Sequence, residues 1–309
     1  MFSFLFLLLS AGTHGKIHGL RSMENLVTFG DSYTDETRLQ YFFQHGHAPP
    51  LGSMTPESNQ TSGGGKAWGR VVADGTGARY YDYAVGGAMC SDAITSHYLD
   101  SIHGPFPSIH DYEIPTFKAD LAYPKLFQNR RADNTIYTLW IGTNDLGIDG
   151  FLGDKNAPNT SLVNFVDCAW TTFDRLYRLG GRHFVLFNQA PLELSPMYAS
   201  PENGGTEDNN YWRNKSSYNM TEIQYKMFEY ASAVNELYRY GAAYEFLLRS
   251  RWPAATLTIF DVHGLIRDIH ASPEQYLSPP ATTVGSYVTC NATACSTSED
   301  LLSSFLWYL

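Results

Sequence analysis

Short apolar stretches alternate along the chain with longer segments in which apolar residues recur every three or four positions. The short stretches predict strands and the longer ones amphipathic helices. Near-continuous apolar strands separated by helices are typical of a parallel sheet covered on both faces, so we expect an α/β fold with a five-stranded parallel sheet. The predicted strands cover 25–29, 80–85, 135–141, 183–188 and 255–261, and the clearest helices cover 162–179 and 221–249.

Two segments, 44–65 and 199–219, are rich in Gly, Pro, Ser, Asn and Thr. We interpret them as surface insertions around a cleft, because neither borders a segment that looks able to fold alone. The pattern therefore predicts one domain over 16–309.

Polar residues follow the first three predicted strands where each strand ends. The first strand runs into Gly30-Asp31-Ser32, the second into Gly86-Gly87 and the third into Asn144-Asp145. Parallel strands bring such ends to one edge of the sheet, where open α/β folds place their chemistry. Ser32 is the candidate nucleophile for acyl transfer.

Negative charge develops on the carbonyl oxygen when a serine attacks an ester, and donors must already point at it. Gly87 lets a backbone N–H approach this oxygen closely, because it has no side chain. The Asn144 amide and the Ser32 N–H are the other expected donors. We expect Asp31 to order the turn or cap the following helix, not to transfer protons.

The first fifteen residues form an apolar block followed by small residues, too short to cross a bilayer, and predict a signal peptide over 1–15. Five Asn-x-Ser/Thr sequons, at Asn59, Asn159, Asn214, Asn219 and Asn291, favour a glycosylated, secreted, extracellular protein. The net charge of −10 argues against nucleic acid or an anionic membrane as partner, and with the sequons it favours a monomer. The 21 Tyr predict a large core, or a cleft that stacks on sugar rings.

Four cysteines are present, and secretion would permit disulfides. Cys290 and Cys295 are close enough along the chain to bridge a small loop, whereas Cys90 and Cys168 could pair or stay as buried thiols. Their spacing suggests no metal site.

Several blocks resemble GDSL/SGNH hydrolases, and within them the secreted fungal acetylesterases of carbohydrate esterase family 16: WGRVVAD, DYAVGGAMCSD, GPFPSIHDYEIPTF, YTLWIGTNDLG and FDVHGLIRDI. The resemblance implies a three-layer flavodoxin-like sandwich, no cofactor or metal, and removal of acetyl groups from hemicellulose-derived saccharides. The family's Ser, Gly and Asn match Ser32, Gly87 and Asn144. An acetylated oligosaccharide or another small ester is the expected partner.

The family's fourth block, Asp-x-x-His, supplies the base, and it follows an aromatic segment similar to 303–308. Since the printed sequence stops at Leu309, we expect a domain truncated at its C-terminus, an apolar end that frays, poor solubility and weak or no activity. The sequence contains one Asp-x-x-His, at Asp100 and His103 in a predicted loop, and we do not choose this relocated pair as the base. His263 and His270 are interpreted as cap or loop residues.

Two alternatives to an acetylesterase stay open. A non-catalytic carbohydrate-binding paralogue would keep the cleft without the base. A short-chain, lipase-like esterase of the same superfamily would differ in acyl preference.

Overall fold

The computed structural model describes residues 19–291 and 293–308. The predicted signal peptide lies outside these residues, and the domain limits stay a prediction.

Five parallel strands form the central sheet, as predicted. In chain order they are β1 (Asn25–Gly30), β2 (Arg79–Asp82), β5 (Thr135–Trp140), β6 (His183–Phe187) and β7 (Thr256–Phe260). The order across the sheet is β2-β1-β5-β6-β7, the order of flavodoxin-like folds. Gly30 is in register with Trp140 of β5, and Phe187 with Phe260 of β7, so all the strands point their carboxyl ends at one edge.

The second strand ends at Asp82, three residues earlier than predicted. The Asp82 carboxylate accepts the Ala84 N–H and so turns the backbone out of the strand. Val85 still donates to the Gly30 carbonyl, which keeps this segment beside the end of β1.

Seven α-helices in the described residues surround the sheet. They are α1 (Arg38–His45), α2 (Trp68–Thr76), α3 (Ile114–Asp120), α4 (Thr143–Leu146), α5 (Leu162–Arg178), α6 (Met220–Ala243) and α7 (Val262–Ala271). The predicted helix over 221–249 divides into α6 and a π-helical segment, Tyr244–Leu248. None of the helices in the described ranges is long and apolar enough to cross a membrane.

Both faces of the sheet are covered by helices. On one face, Phe29 of β1 packs in a continuous core with Phe117 of α3 and Phe173 of α5, each with no exposed surface. On the other face, Ala73 of α2 covers Leu26 and Tyr80 in a smaller cluster. Each fully buried Phe or Leu contributes about 1.5–3 kcal/mol, so this burial fixes the sheet on which the strand ends are placed.

Short strands complete the structure: β3 (Tyr98–Leu99), β4 (Gly104–Pro105), β8 (Thr282–Ser286), β9 (Val288–Cys290), β10 (Cys295–Thr297) and β11 (Phe305–Trp307). The predicted fraying after residue 300 is wrong for Phe305–Trp307. This segment pairs with β8, and the buried Trp307 indole donates to the Thr283 carbonyl.

Both cysteine pairs are bridged. Cys290–Cys295 joins β9 to β10, as predicted, and Cys90–Cys168 joins the segment after β2 to α5.

Candidate active site

The turn after β1 presents Ser32 at the carboxyl edge of the sheet. Gly30 precedes it with φ 153°, and a Cβ there would lie 2.2 Å from the Trp140 carbonyl oxygen, so only glycine fits. Asp31 is buried, and its Oδ1 accepts the Tyr33 N–H at 3.0 Å, which orders the turn as predicted. Ser32 itself is half-buried and reaches the surface.

Gly87 lies on the segment that follows β2 beside the end of β1. Its φ of 86° is in the left-handed region, and a Cβ would lie 2.8 Å from the edge of the Phe106 ring. Val85 donates to Gly30, and each chain then runs two residues further, to Gly87 and Ser32. The two predicted site residues therefore lie on neighbouring strand ends.

Asn144 lies in α4, four residues beyond Trp140, which is in register with Gly30. Its Nδ2 donates to the Ala88 carbonyl at 3.0 Å. An amide nitrogen carries two hydrogens, so this bond fixes the orientation of the amide and leaves the second N–H available. Ser32, Gly87 and Asn144 are all half-buried, while Asp31, Ala88 and Asp145 beside them are buried.

The Asp145 carboxylate fixes the segment after Gly87 by hydrogen bonds. Its two carboxylate oxygens accept the Cys90 N–H at 3.0 and 3.2 Å, and Cys90 is also bonded covalently to Cys168 of α5. Asn144 and Asp145 thus fix both ends of 88–90, which places the Gly87 backbone.

Glu113 links the two strand ends that carry Ser32 and Gly87. One of its oxygens accepts the Gly30 N–H at 3.1 Å and the other accepts the Val85 N–H at 3.2 Å. The side chain is buried, and burial raises its pKa well above the usual range. Because its carboxyl group accepts hydrogen bonds from both strand ends, Glu113 is a positioning residue for Ser32 and for Gly87.

Asp35 and Asp82 continue this buried group of carboxyls. Asp35 accepts the Gly86 N–H at 2.7 Å and the first-turn N–H groups of Arg38 and Leu39, so Asp35, not Asp31, satisfies the start of α1. Asp82 accepts the Glu36 N–H at 2.8 Å. The buried Arg38 guanidinium donates to the Asp82 carbonyl and the Tyr112 hydroxyl.

Burial is the main electrostatic influence on these carboxyls. It raises the pKa of Asp31 to about 7, although the hydrogen bond from Tyr33 lowers it. Burial likewise raises the pKa of Asp145 to about 7, with a smaller contribution from the Asp31 charge. Burial and the neighbouring Asp35 also raise the pKa of Asp82.

The candidate histidines lie elsewhere. His103 is exposed in the turn between β3 and β4 with φ 50°, and its backbone N–H donates to the Asp100 carbonyl. The His263 ring contacts the Gln189 carbonyl near the start of α7. In the described part of the chain, no histidine ring hydrogen-bonds Ser32.

Cys90, His110 and Cys168 form one group of potential metal ligands in the described residues. Both sulfurs are bonded to each other, so neither is a thiolate able to bind an ion. Burial and the nearby Arg175 lower the pKa of His110 to about 4, which keeps this ring neutral beside the disulfide.

Sequence reasoning identified the three residues at the strand ends but missed what holds them. Glu113 and Phe106 lie within GPFPSIHDYEIPTF, a block recognised by resemblance but given no role. Asp35 and Asp82 are separated by 47 positions along the chain, and no local pattern indicates that they converge.

Comparisons with known proteins cover most of the chain. The model of the family described as GDSL-like Lipase/Acylhydrolase matches residues 26–284. An acetylesterase of Hypocrea jecorina is 43% identical over 286 residues, covering 92% of this chain and 82% of that protein. An acetylesterase of Thermothelomyces thermophilus is 28% identical over 193 residues, covering 60% of this chain and 61% of that protein.

Among solved structures, a lipolytic protein of the G-D-S-L family from Veillonella parvula DSM 2008 matches at 10% identity with a TM-score of 0.37. The match covers 82% of this chain and 86% of that one.

Proposed function

The chain belongs to the GDSL-like lipase/acylhydrolase family and is a carboxylic ester hydrolase, and from this premise we propose that it removes acetyl groups from hemicellulose-related saccharides with Ser32 as nucleophile. The observation that carries the proposal is the Asn144 amide. The Ala88 carbonyl fixes its orientation, and a second N–H stays available at the edge of the sheet where the half-buried Ser32 lies.

The reaction uses the strand-end residues as follows. Ser32 Oγ bonds to the carbonyl carbon, its proton passes to a base, and the carbonyl oxygen becomes an anion. The Ser32 and Gly87 backbone N–H groups and the free Asn144 N–H stabilise that anion. The C–O bond to the sugar then breaks, the sugar oxygen takes up a proton, and water hydrolyses the acyl-enzyme.

Phe106 supports a preference for a short acyl group. Its ring is so close to Gly87 that a single Cβ would collide with it. A ring beside an oxyanion donor leaves little room for an extended chain, which favours acetyl over longer acyl groups.

Secretion is part of the proposal. All five sequon asparagines are exposed, and both cysteine pairs are bridged, as suits an oxidising compartment. We further propose that the protein is a monomer that requires no metal.

The test is hydrolysis of the p-nitrophenyl acetate, butyrate and octanoate esters. We expect acetate to be the best substrate, Ser32→Ala to remove turnover, and Asn144→Ala to lower kcat by about 10²–10³. Ser22→Ala is the matched control, because Ser22 is an exposed serine that precedes the amino end of β1, whereas Ser32 follows its carboxyl end. Turnover that survives Ser32→Ala would contradict the nucleophile assignment, and the absolute kcat tests the expected weak activity.

A carbohydrate-binding protein without turnover is the second candidate. It is favoured by the lack of a hydrogen bond between Ser32 and any histidine in the described residues. Binding of xylo-oligosaccharides with no ester hydrolysis would support it over the esterase.

A further inference from the structure

A polar cavity of about 250 Å³ opens beside the candidate active site. It is lined by two segments that follow the carboxyl ends of β5 and β6. Its lining residues are Ile148, Asp149, Gly153, Lys155, Tyr211, Trp212, Arg213, Asn214 and Tyr218. Both segments leave the sheet at the edge that carries Ser32 and Asn144.

Packed residues connect this cavity to Asn144. Gly147 donates its N–H to the Asn144 carbonyl, and a Cβ on Gly147 would lie 2.4 Å from the Tyr198 hydroxyl. The Tyr198 ring is 6.1 Å from the Trp212 ring, which is 5.1 Å from the Tyr218 ring. The cavity lining therefore begins at Ile148, four residues beyond the predicted oxyanion donor Asn144, and packed residues join the two.

The charges in the cavity are unbalanced. Lys155 and Arg213 supply two cations, and Asp149 supplies the single carboxylate of the lining. Neither cation forms an ion pair or side-chain hydrogen bond with another described residue; the cations of the ion pairs are other lysines and arginines. In a chain of net charge −10, this makes the cavity locally favourable for an anion.

Aromatic rings and polar side chains complete the lining. Tyr211 is 58% exposed and Tyr218 39%, so each has ring surface accessible to a ligand. Rings that pack on C–H surfaces, together with groups that bond hydroxyls, suit a saccharide. The volume is below the roughly 300–1,000 Å³ of drug-sized sites, which limits the ligand to a small unit.

We propose that this cavity is a saccharide subsite that selects a carboxylate-bearing, uronic-acid sugar, with Lys155 and Arg213 binding the carboxylate. The proposal rests on the proposed function, because it assigns the cavity to the sugar portion of the same substrate. It predicts that the preferred acetylated oligosaccharides carry an acidic substituent near the ester.

The experiment measures binding by calorimetry to the Ser32→Ala protein, so that turnover does not interfere. Binding is measured on the glycosylated protein and again after removal of its N-glycans, because the Asn214 sequon lines the cavity, and the preference for the acidic oligosaccharide is expected in both. The probes are xylotriose bearing one glucuronic acid, neutral xylotetraose, and free acetate. We expect the acidic oligosaccharide to bind about five- to tenfold more tightly than the neutral one, the effect of two partly exposed ion pairs.

Lys155→Ala combined with Arg213→Ala should abolish this preference. Lys125→Ala combined with Arg178→Ala is the matched control, since it removes the same charge at exposed positions outside the cavity. The preference should also shrink as salt rises from about 0.01 M to about 1 M, because salt screens exposed pairs.

Equal binding of the acidic and neutral oligosaccharides would overturn the proposal. So would a preference that survives in the Lys155/Arg213 double variant, or the failure of both oligosaccharides to bind. Binding of acetate as tight as that of the acidic oligosaccharide would overturn the saccharide assignment. Hydrolysis of p-nitrophenyl acetate by the unmodified protein is measured separately, so failure of the proposed function is distinguishable from failure of the subsite.

Discussion

Charged side chains are used differently in two neighbouring regions of this molecule. Beneath the strand ends, Asp35, Glu113 and Asp145 are buried and directed at backbone N–H groups. In the adjoining cavity, Lys155 and Arg213 are exposed and form no ion pair with described residues. The first group acts within the protein by fixing backbone positions, whereas the second is available to an external ligand.

The difference has an energetic basis. A buried carboxyl without partners costs several kcal/mol, so it persists where several N–H groups compensate for lost hydration. An exposed cation stays hydrated and costs little, so binding can use it without a loss of folding stability. The site should therefore tolerate substitution poorly and the cavity well, and four experiments test this contrast.

The Cys90–Cys168 disulfide should have the largest effect. It closes a 78-residue separation beside Gly87, whereas Cys290–Cys295 closes a separation of 5. From loop entropy, the Cys90/Cys168 and Cys290/Cys295 double serine variants should lose about 4.5 and about 2 kcal/mol of unfolding free energy respectively. Urea denaturation measures both, and kcat should fall for the Cys90/Cys168 variant alone. An equal fall in kcat for the Cys290/Cys295 variant would contradict the expected difference between the two disulfides.

Glu113→Ala should follow, with a loss of about 1–3 kcal/mol, because it removes this acceptor from the buried Gly30 N–H, whereas the Val85 N–H keeps the Gly30 carbonyl. Glu113→Gln keeps one acceptor oxygen and should recover about half of the loss. A positioning role also predicts a lower kcat with little change in KM. If both substitutions change stability but leave kcat intact, Glu113 supports the fold alone.

Asp31 should make stability depend on pH. Its pKa is about 7 in the folded protein against 3.8 as the reference, so the folded state binds the proton more tightly. The contribution of Asp31 to the free energy of unfolding is fully present below about pH 4. It is lost as the pH rises to about 7, at up to 1.4 kcal/mol per pH unit. Compared with Asp31→Asn, the unmodified protein should lose about 2 kcal/mol more between pH 5 and pH 7 in urea denaturation. If the unfolding free energies of the unmodified protein and the Asp31→Asn variant changed with pH in parallel, the raised pKa of Asp31 would be contradicted.

The smallest effect should come from the cavity. Lys155→Ala combined with Arg213→Ala should change the unfolding free energy by less than about 0.5 kcal/mol, as exposed substitutions usually do. Thermal denaturation beside the Lys125/Arg178 control measures it. A loss of several kcal/mol would mean that these cations serve the fold and not a ligand.

Local sequence patterns predicted the strands of the fold better than they predicted the residues that position the candidate active site. Each predicted main-sheet strand overlaps an observed one, and β1 and β5, which are buried at every position, are the ones that form near-continuous apolar runs. The end of β2 was predicted too late, since the apolar Tyr83-Ala84-Val85 continues the run after the backbone has turned at Asp82. Likewise Phe305–Trp307 was expected to fray, because a partner strand far along the chain cannot be read from local pattern.

By itself, the sequence determined the order of strands and helices and the three residues, Ser32, Gly87 and Asn144, that follow strand ends. These depend on local apolar periodicity and on residue chemistry at known offsets. The tertiary structure alone decided that Glu113 spans Gly30 and Val85, that Cys90 bonds to Cys168, and that Lys155 and Arg213 line one cavity. Such contacts join segments distant in sequence, and packing of the whole sheet, not any local pattern, brings them together.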